Sequence, residues 1–106
     1  MFNLTPSETF KEPVKMQVKT ENGLWREETF TAIFLRTGEE RRAELHDKPF
    51  AEVVDEVLVG WEMVDLQRRP VEFTPENKAA FLRLSGAARE TALTYLRANA
   101  GAKAKN

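Results

Sequence analysis

The chain has 106 residues, in which 16 Lys and Arg side chains are balanced by 17 Asp and Glu side chains, so its formal charge is −1 before its single histidine. This length is typical of one domain, and we expect residues 1–106 to form a single domain. The balanced charge excludes a strong overall field for attracting a polyanion or a membrane surface. Because the chain has no cysteine, disulfides, thiolate nucleophiles and cysteine zinc sites are excluded as well.

Apolar residues are numerous enough for a core but not for a membrane span. Leu, Ile, Val and Phe account for 26 of the 106 residues, about a quarter, which lies above the composition typical of disorder. The longest apolar runs, residues 32–35 and 79–82, are far shorter than the roughly 18 residues of a transmembrane helix. Residues 1–6 lack the basic and apolar regions of a secretory signal. We therefore expect a cytoplasmic protein that does not bind membranes.

The N-terminal third of the chain has the pattern of an antiparallel β-hairpin. Residues 1–12 show neither helical nor strand periodicity, and we predict a flexible arm there. A hairpin is predicted over residues 13–36, with a turn at Asn22 and Gly23. Its first strand is indicated by apolar residues that alternate with polar ones, namely Val14, Met16 and Val18. Its second strand, residues 25–35, is apolar on both faces and is expected to be more buried.

The remainder, residues 37–100, is predicted to be mainly helical. Thr37 and Glu40 have the spacing of a capping box at the start of a short helix that ends near Leu45. A second helix begins near Pro49 and is expected to end at Gly60. Its apolar residues follow helical spacing and form one stripe, made of Phe50, Val53, Val54, Val57, Leu58 and Trp61.

Two further helices are predicted after an irregular segment or small hairpin over residues 61–73, in which Met63 faces Val71. Thr74 and Pro75 have the pattern of a helix start. The apolar face of this third helix is expected to contain Ala80, Phe81 and Leu84. Ser85 and Gly86 cap a fourth helix with one apolar side, formed by Ala88, Ala92, Tyr95 and Leu96. Residues 101–106 are expected to fray. The predicted fold class is therefore α+β, with an N-terminal antiparallel β-hairpin or small sheet followed by about four α-helices packed on it.

Charge is divided unevenly along the chain. Residues 1–65 contain 8 basic and 14 acidic side chains, a net charge of −6, whereas residues 66–106 contain 8 basic and 3 acidic side chains, a net charge of +5. Either the basic helices contact the acidic half within the molecule, or they present a basic face to an acidic partner.

The sequence lacks the residue patterns of catalytic and metal sites. The only histidine, His46, stands at a predicted helix end and has neither Cys nor a second His to form a transition-metal site with it. Ser7 and Ser85 are the only serines, and neither lies in a nucleophile elbow. The five glycines are isolated from one another, so no phosphate-binding loop is present. We therefore predict no enzymatic activity, no metal and no cofactor.

Nucleic-acid binding is also disfavoured. Basic residues cluster in the second half of the chain, and Arg89 and Arg97 lie two helical turns apart in the last predicted helix. No aromatic residue lies between them on that face to stack on a base, and the net charge is negative.

One segment resembles a known protein family. It contains Gly60 and Trp61 after an apolar stretch, then Asp65, Pro70 and Phe73, followed by a helix start at Thr74. In this order the segment is similar to the tail assembly chaperones of long-tailed bacteriophages and prophages, from Phe50 to Leu96. The family pairs a β-rich N-terminal part with a helical remainder.

The resemblance implies a non-enzymatic role in virion morphogenesis in the cytoplasm of a bacterial host. Such chaperones bind the tape measure protein and help to recruit tail tube proteins, so these are the expected partners. Self-association stays open. A small interaction or regulatory module, such as an antitoxin, is the alternative, and a nucleic-acid-binding protein is a less favoured one.

The predicted partner surface consists of residues from the central turn and the last two helices. The candidate partner-binding residues are Trp61, Phe73, Phe81, Leu84, Arg89 and Leu96. Several of them are equally well explained as core residues, since apolar residues at helical spacing usually pack inside.

Overall fold

Three antiparallel strands and four helices make up the part of the chain that this computed structural model describes, which is residue 2 and residues 4–99. In chain order they are β1 (Thr9–Lys19), β2 (Trp25–Leu35), α1 (Glu39–Leu45), α2 (Phe50–Val57), β3 (Leu58–Glu62), α3 (Pro75–Leu82) and α4 (Ala87–Asn99). The sheet has the order β1-β2-β3. The predicted α+β fold class, with a small antiparallel sheet and four helices, is confirmed. The predicted frayed tail, residues 101–106, lies outside the described residues.

The strands of the sheet differ in how far they are paired. β1 and β2 pair along their whole length, from Thr9 opposite Leu35 to Lys19 opposite Trp25. β3 pairs only with residues 31–34 of β2. Residues 17–28 therefore form a two-stranded extension without a third strand, which we call the distal ribbon.

The helices cover one face of the sheet. Alternate residues of β1 and β2 are buried on this inner face, as expected for strands with one face in the core; they are Val14, Met16, Phe30, Ala32 and Phe34. α4 packs against both β1 and α2. The opposite face of the sheet, which we call the outer face, contains side chains that are exposed or half-buried.

Two aromatic clusters join the inner face to the helices. In the first, the Tyr95 ring lies 5.1 Å from the Phe34 ring and 6.1 Å from the Phe10 ring. The Tyr95 hydroxyl also forms a hydrogen bond with the Thr37 hydroxyl. In the second, Phe30 contacts both Phe81, at 5.2 Å, and Trp61, at 6.3 Å. Edge-to-face packing of this kind adds to the stabilisation from buried area.

The second predicted helix is shorter than its apolar stripe. α2 ends at Val57, and Leu58 and Trp61 belong to β3 rather than to a helix. β3 pairs with the edge of β2, so tertiary hydrogen bonding overrides the local helical pattern. Gly60 is not a left-handed helix cap, because the glycines with positive φ among the described residues are Gly23 and Gly86. A Cβ at Gly60 would lie 3.2 Å from Ile33 Cδ1, so glycine allows the close approach of β2.

Two predictions at the start of elements are wrong. β1 begins at Thr9 rather than at Pro13. Residues 9–12 pair with the end of β2, and Phe10 packs on Phe34. The alternation of apolar and polar residues does not reveal these contacts with another strand. The ladder reaches one pair further, where the Arg36 amide donates to the Glu8 carbonyl at 2.7 Å. The capping box at Thr37 does not form: the N-cap of α1 is Gly38, and the Thr37 hydroxyl contacts Tyr95 instead.

The predictions for the central turn and the last two helices are mostly confirmed. Met63 faces Val71, whose amide donates to the Met63 carbonyl at 2.8 Å. Thr74 caps α3, since its hydroxyl accepts from the Asn77 amide at 3.0 Å. The apolar face of α3 is wrong in part, because Leu84 lies beyond the end of the helix and Ala80 is exposed. None of the helices within the described residues is long and apolar enough to cross a membrane.

Replacement of Trp61 by Ala should destabilise the fold strongly. Trp61 is only 7% exposed, and truncation of a buried Trp costs roughly 3–5 kcal/mol. The matched control is Trp25→Ala, because Trp25 is 64% exposed and its loss should cost about 1 kcal/mol or less. Urea denaturation of both variants gives the comparison. Equal losses of stability would contradict the burial of Trp61.

Thr91→Val should make the protein more stable. Thr91 on α4 is fully buried, and its hydroxyl has no hydrogen-bond partner among the residues that the structure describes. Replacing the hydroxyl by a methyl group removes an unsatisfied polar group at almost constant volume, which should raise the free energy of unfolding by about 1 kcal/mol. Thr91→Ser, which keeps the hydroxyl and loses the methyl group, should be less stable than the wild type. A destabilised Thr91→Val variant would show that the hydroxyl contributes to the native state.

Candidate interaction site

The six sequence-predicted partner residues separate into core and surface positions. Trp61, Phe81 and Leu96 are buried, and Phe73 is half-buried. The Trp61 ring lies 4.8 Å from the Phe73 ring and 5.6 Å from the Phe81 ring. The structure therefore brings these three rings together inside the molecule. Of the six, Leu84 and Arg89 have exposed side chains.

The segment that carries the family resemblance forms a small hairpin beside β3. The Asp65 carboxylate accepts from the amides of Gln67 and Arg69, at 2.8 and 2.9 Å, and so fixes the turn. The Trp61 indole N–H donates to the Val71 carbonyl at 2.8 Å. Asp65 and Trp61 thus hold the two strands of this hairpin together and place Phe73 at the start of α3.

Leu84 and Arg89 lie at the connection between α3 and α4, and we call this pair the α3–α4 junction surface. The Leu84 amide donates to the Phe81 carbonyl at 3.0 Å, and the Leu84 carbonyl accepts from the Ala87 amide at 3.1 Å. Gly86, with a φ of 85°, permits the reversal before α4. This backbone leaves the Leu84 side chain 56% exposed.

The uneven charge is only partly neutralised within the molecule. Lys78 of α3 lies 3.7 Å from the Asp55 carboxylate of α2 and donates to the Asp55 carbonyl at 2.8 Å. Within the described residues, this ion pair is the one that joins a helix of the acidic part, residues 1–65, to a helix of the basic part, residues 66–106. Arg89 contacts Glu90 of its own helix at 2.7 Å. Arg83 and Arg97 are exposed without an ion pair in the part of the chain that the structure describes.

A separate ionic network joins α1 to α2. The Arg41 guanidinium donates from Nε to Glu56 Oε2 at 2.8 Å and from Nη1 to Glu44 Oε1 at 2.8 Å. The hydrogen bond from Arg41 is the main reason why the pKa of the Glu56 carboxyl lies below its ordinary value of 4.5. The same contacts raise the pKa of Arg41, which stays charged. This arrangement ties two helices together.

The other polar residues singled out in the sequence have local roles. His46 follows α1 as its C-cap, and its Nε2 lies 3.1 Å from Nη1 of Arg42. Ser85 is exposed in the turn before α4. Among the described residues, no group of three His, Asp or Glu side chains is arranged to hold a metal ion.

Two exposed residues in the distal ribbon were missed by the sequence reasoning. Leu24 and Trp25 are 68% and 64% exposed. Lys19, opposite Trp25 in the register, places its ammonium 4.9 Å from the Trp25 ring centre. One feature of the sequence could have indicated this exposure. Trp25 comes directly after the hairpin turn, and the tip of a long hairpin usually extends beyond the core of the domain.

Comparisons of the chain with protein-family models, with curated proteins and with solved structures find no match.

Removal of the Glu56 carboxylate should reduce the pH dependence of stability. Because the pKa of Glu56 is lowered in the folded state, its contribution is present above about pH 4.5 and is lost as the pH falls through the folded-state pKa. From about pH 7 to about pH 3, the wild type should thus lose more stability than Glu56→Gln. Urea denaturation at each pH measures this difference.

The control for this experiment is Arg41→Gln, which removes the same hydrogen bond from the other side. The double variant should show little further change in pH dependence. A constant stability difference between the wild type and Glu56→Gln across this pH range would contradict the assignment.

Proposed function

We propose that the protein is a non-enzymatic tail assembly chaperone that binds a phage or prophage tape measure protein and helps to recruit tail tube subunits. The proposal starts from the resemblance over Phe50 to Leu96. It is supported by the order of a β-rich N-terminal part and a helical remainder, and by the hairpin that precedes the Thr74-capped helix.

The exposure of Leu84 beside basic residues is the observation that carries this proposal. Leu84 is 56% exposed, although the neighbouring apolar residue Phe81 is buried. Arg83 and Arg89 flank it in the sequence and are also exposed. An exposed apolar side chain in a segment that also contains exposed arginines suits a partner helix that has apolar residues bordered by carboxylates.

This chemistry fits a chaperone for a long helical protein. Apolar stripes of an unassembled helix are prone to aggregation until another protein covers them. The α3–α4 junction surface offers one exposed apolar side chain and one exposed arginine. Such a contact favours a reversible interaction, as release during assembly requires.

The test is co-expression of the full chain with the tape measure and tail tube proteins encoded near its gene, scored by recovery and by the solubility of the partner. We expect the wild-type chain to recover the tape measure protein and to increase its soluble fraction. Leu84→Asp should weaken the binding by about tenfold, because it places a carboxylate against an acidic and apolar partner.

Leu66→Asp is the matched control, since Leu66 is an exposed leucine in the hairpin after β3. It carries the same change of charge and size and should bind like the wild type. If the folded wild-type chain binds neither partner, the chaperone proposal is wrong and a different interaction module becomes the better explanation. Equal loss in both Leu variants would assign the effect to added charge rather than to the α3–α4 junction surface.

A further inference from the structure

The distal ribbon extends away from the core. β3 ends opposite Thr31, so residues 17–28 have no third strand. In this segment, Val18 and Thr20 are half-buried and the other side chains are exposed. A two-stranded ribbon by itself is marginally stable in water. Since it contributes little to the core, its length requires another explanation.

The tip of the ribbon has a defined conformation. The Thr20 amide donates to the Leu24 carbonyl at 2.7 Å, and the Gly23 amide donates to the Thr20 carbonyl at 3.0 Å. The Thr20 hydroxyl accepts from the Leu24 amide at 3.2 Å. Gly23 has a φ of 80°, which glycine adopts without strain. These contacts fix the backbone at Leu24 before any partner binds, and the Lys19 ammonium lies over the Trp25 ring, which lowers the entropic cost of binding.

Leu24 and Trp25 form an exposed apolar pair at the end of this ordered ribbon. Their exposed fractions are 68% and 64%. A Trp side chain presents a large rigid surface, and Trp is enriched among the residues that dominate binding energy at protein interfaces. The pair is too small for the roughly 800 Å² per partner of a stable dimer interface, so it suits an anchor within a larger contact.

Three lysines of β1 lie on the outer face of the sheet, one in the ribbon and two next to it. Residues opposite each other in an antiparallel pair project to the same side, so Lys19 and Trp25 share the outer face. Lys15 and Lys11 project to this side too, because side chains alternate along a strand. Lys11 pairs with Glu62 of β3 at 2.6 Å, whereas Lys15 and Lys19 have no ion pair within the described residues.

The charges of the whole ribbon favour a protein partner over nucleic acid or an anionic membrane. Besides Lys19 and Arg26, residues 17–28 contain three glutamates, Glu21, Glu27 and Glu28, which give a net charge of −1. Glu28 pairs with Arg26 on the inner side of the ribbon, whereas Glu27 shares the outer face with Lys15 and Lys19, so that face is only weakly positive. A polyanion is bound by many basic side chains, which this face does not offer. A protein segment can instead position a few carboxylates opposite Lys15 and Lys19 while its apolar side chains contact Trp25.

We propose that the distal ribbon, together with Lys15 next to it on β1, is a second contact for the tape measure protein, in which Leu24 and Trp25 pack among apolar side chains of a partner segment and Lys15 and Lys19 pair with its carboxylates. This inference rests on the proposed function and adds a binding surface to it. The two surfaces are on different elements, so each can be changed without the other.

The test is fluorine NMR of the full chain labelled with fluorotryptophan, titrated with unlabelled tape measure protein. The chain has two tryptophans, Trp25 and Trp61, and Trp25→Phe assigns their signals. We expect the Trp25 signal to shift on binding, while the signal of buried Trp61 changes little. Trp25→Ala should weaken the binding by about tenfold.

A charge reversal with a matched control tests the role of the lysines. Lys15→Glu should weaken binding several-fold, and the loss should be smaller at high salt. Arg68→Glu makes the same change of charge at an exposed residue of the hairpin after β3 and should bind like the wild type. Leu84→Asp should leave the Trp25 signal shift in place at saturating concentration.

The outcomes distinguish the two proposals. If the wild-type chain binds the tape measure protein but Trp25→Ala and Lys15→Glu bind equally well, the ribbon proposal is overturned and the chaperone proposal stands. If the wild-type chain does not bind, both fall. A Trp25 shift produced by phosphatidylglycerol vesicles or by a single-stranded oligonucleotide, and not by the tape measure protein, would also overturn the proposal.

Discussion

The structure depends on the burial of the inner sheet face beneath α2 and α4. Phe34 and Phe30 on β2 each contact one aromatic cluster, so this central strand connects the Tyr95 side of the core to the Trp61 side. Because the sheet has only three strands, loss of either cluster exposes a large part of the core.

Much of this fold follows from local patterns in the sequence. The alternation of Val14 and Met16, the Thr74 cap and the glycine before α4 each correspond to a feature that depends on neighbouring residues alone. The ends of the helices and strands were harder to predict from the sequence. Val57 and Leu58 continue a helical stripe, yet the chain becomes a strand there because the free edge of β2 offers hydrogen bonds. No periodicity within residues 50–61 contains that information.

The candidate site was predictable only in part for a related reason. Leu84 and Arg89 were identified from composition and spacing, but spacing does not distinguish them from Trp61 or Phe81, which are inside. Exposure is a property of the assembled molecule. Trp25 shows the same limit in reverse: it belongs to a strand with two apolar faces, yet it lies on the outer face of the sheet, away from the helices that form the core, and is exposed.

The proline in β1 has a consequence for the free edge of the sheet. The Glu8–Arg36 hydrogen bond sets the alternation of the ladder, so residues of odd number in β1 direct their backbone groups away from β2. Pro13 is among them and has no N–H to offer. An additional strand from another molecule would meet this gap in the middle of the edge, with lysines on either side. The free edge of β1 is in this way protected against pairing with strands of other molecules.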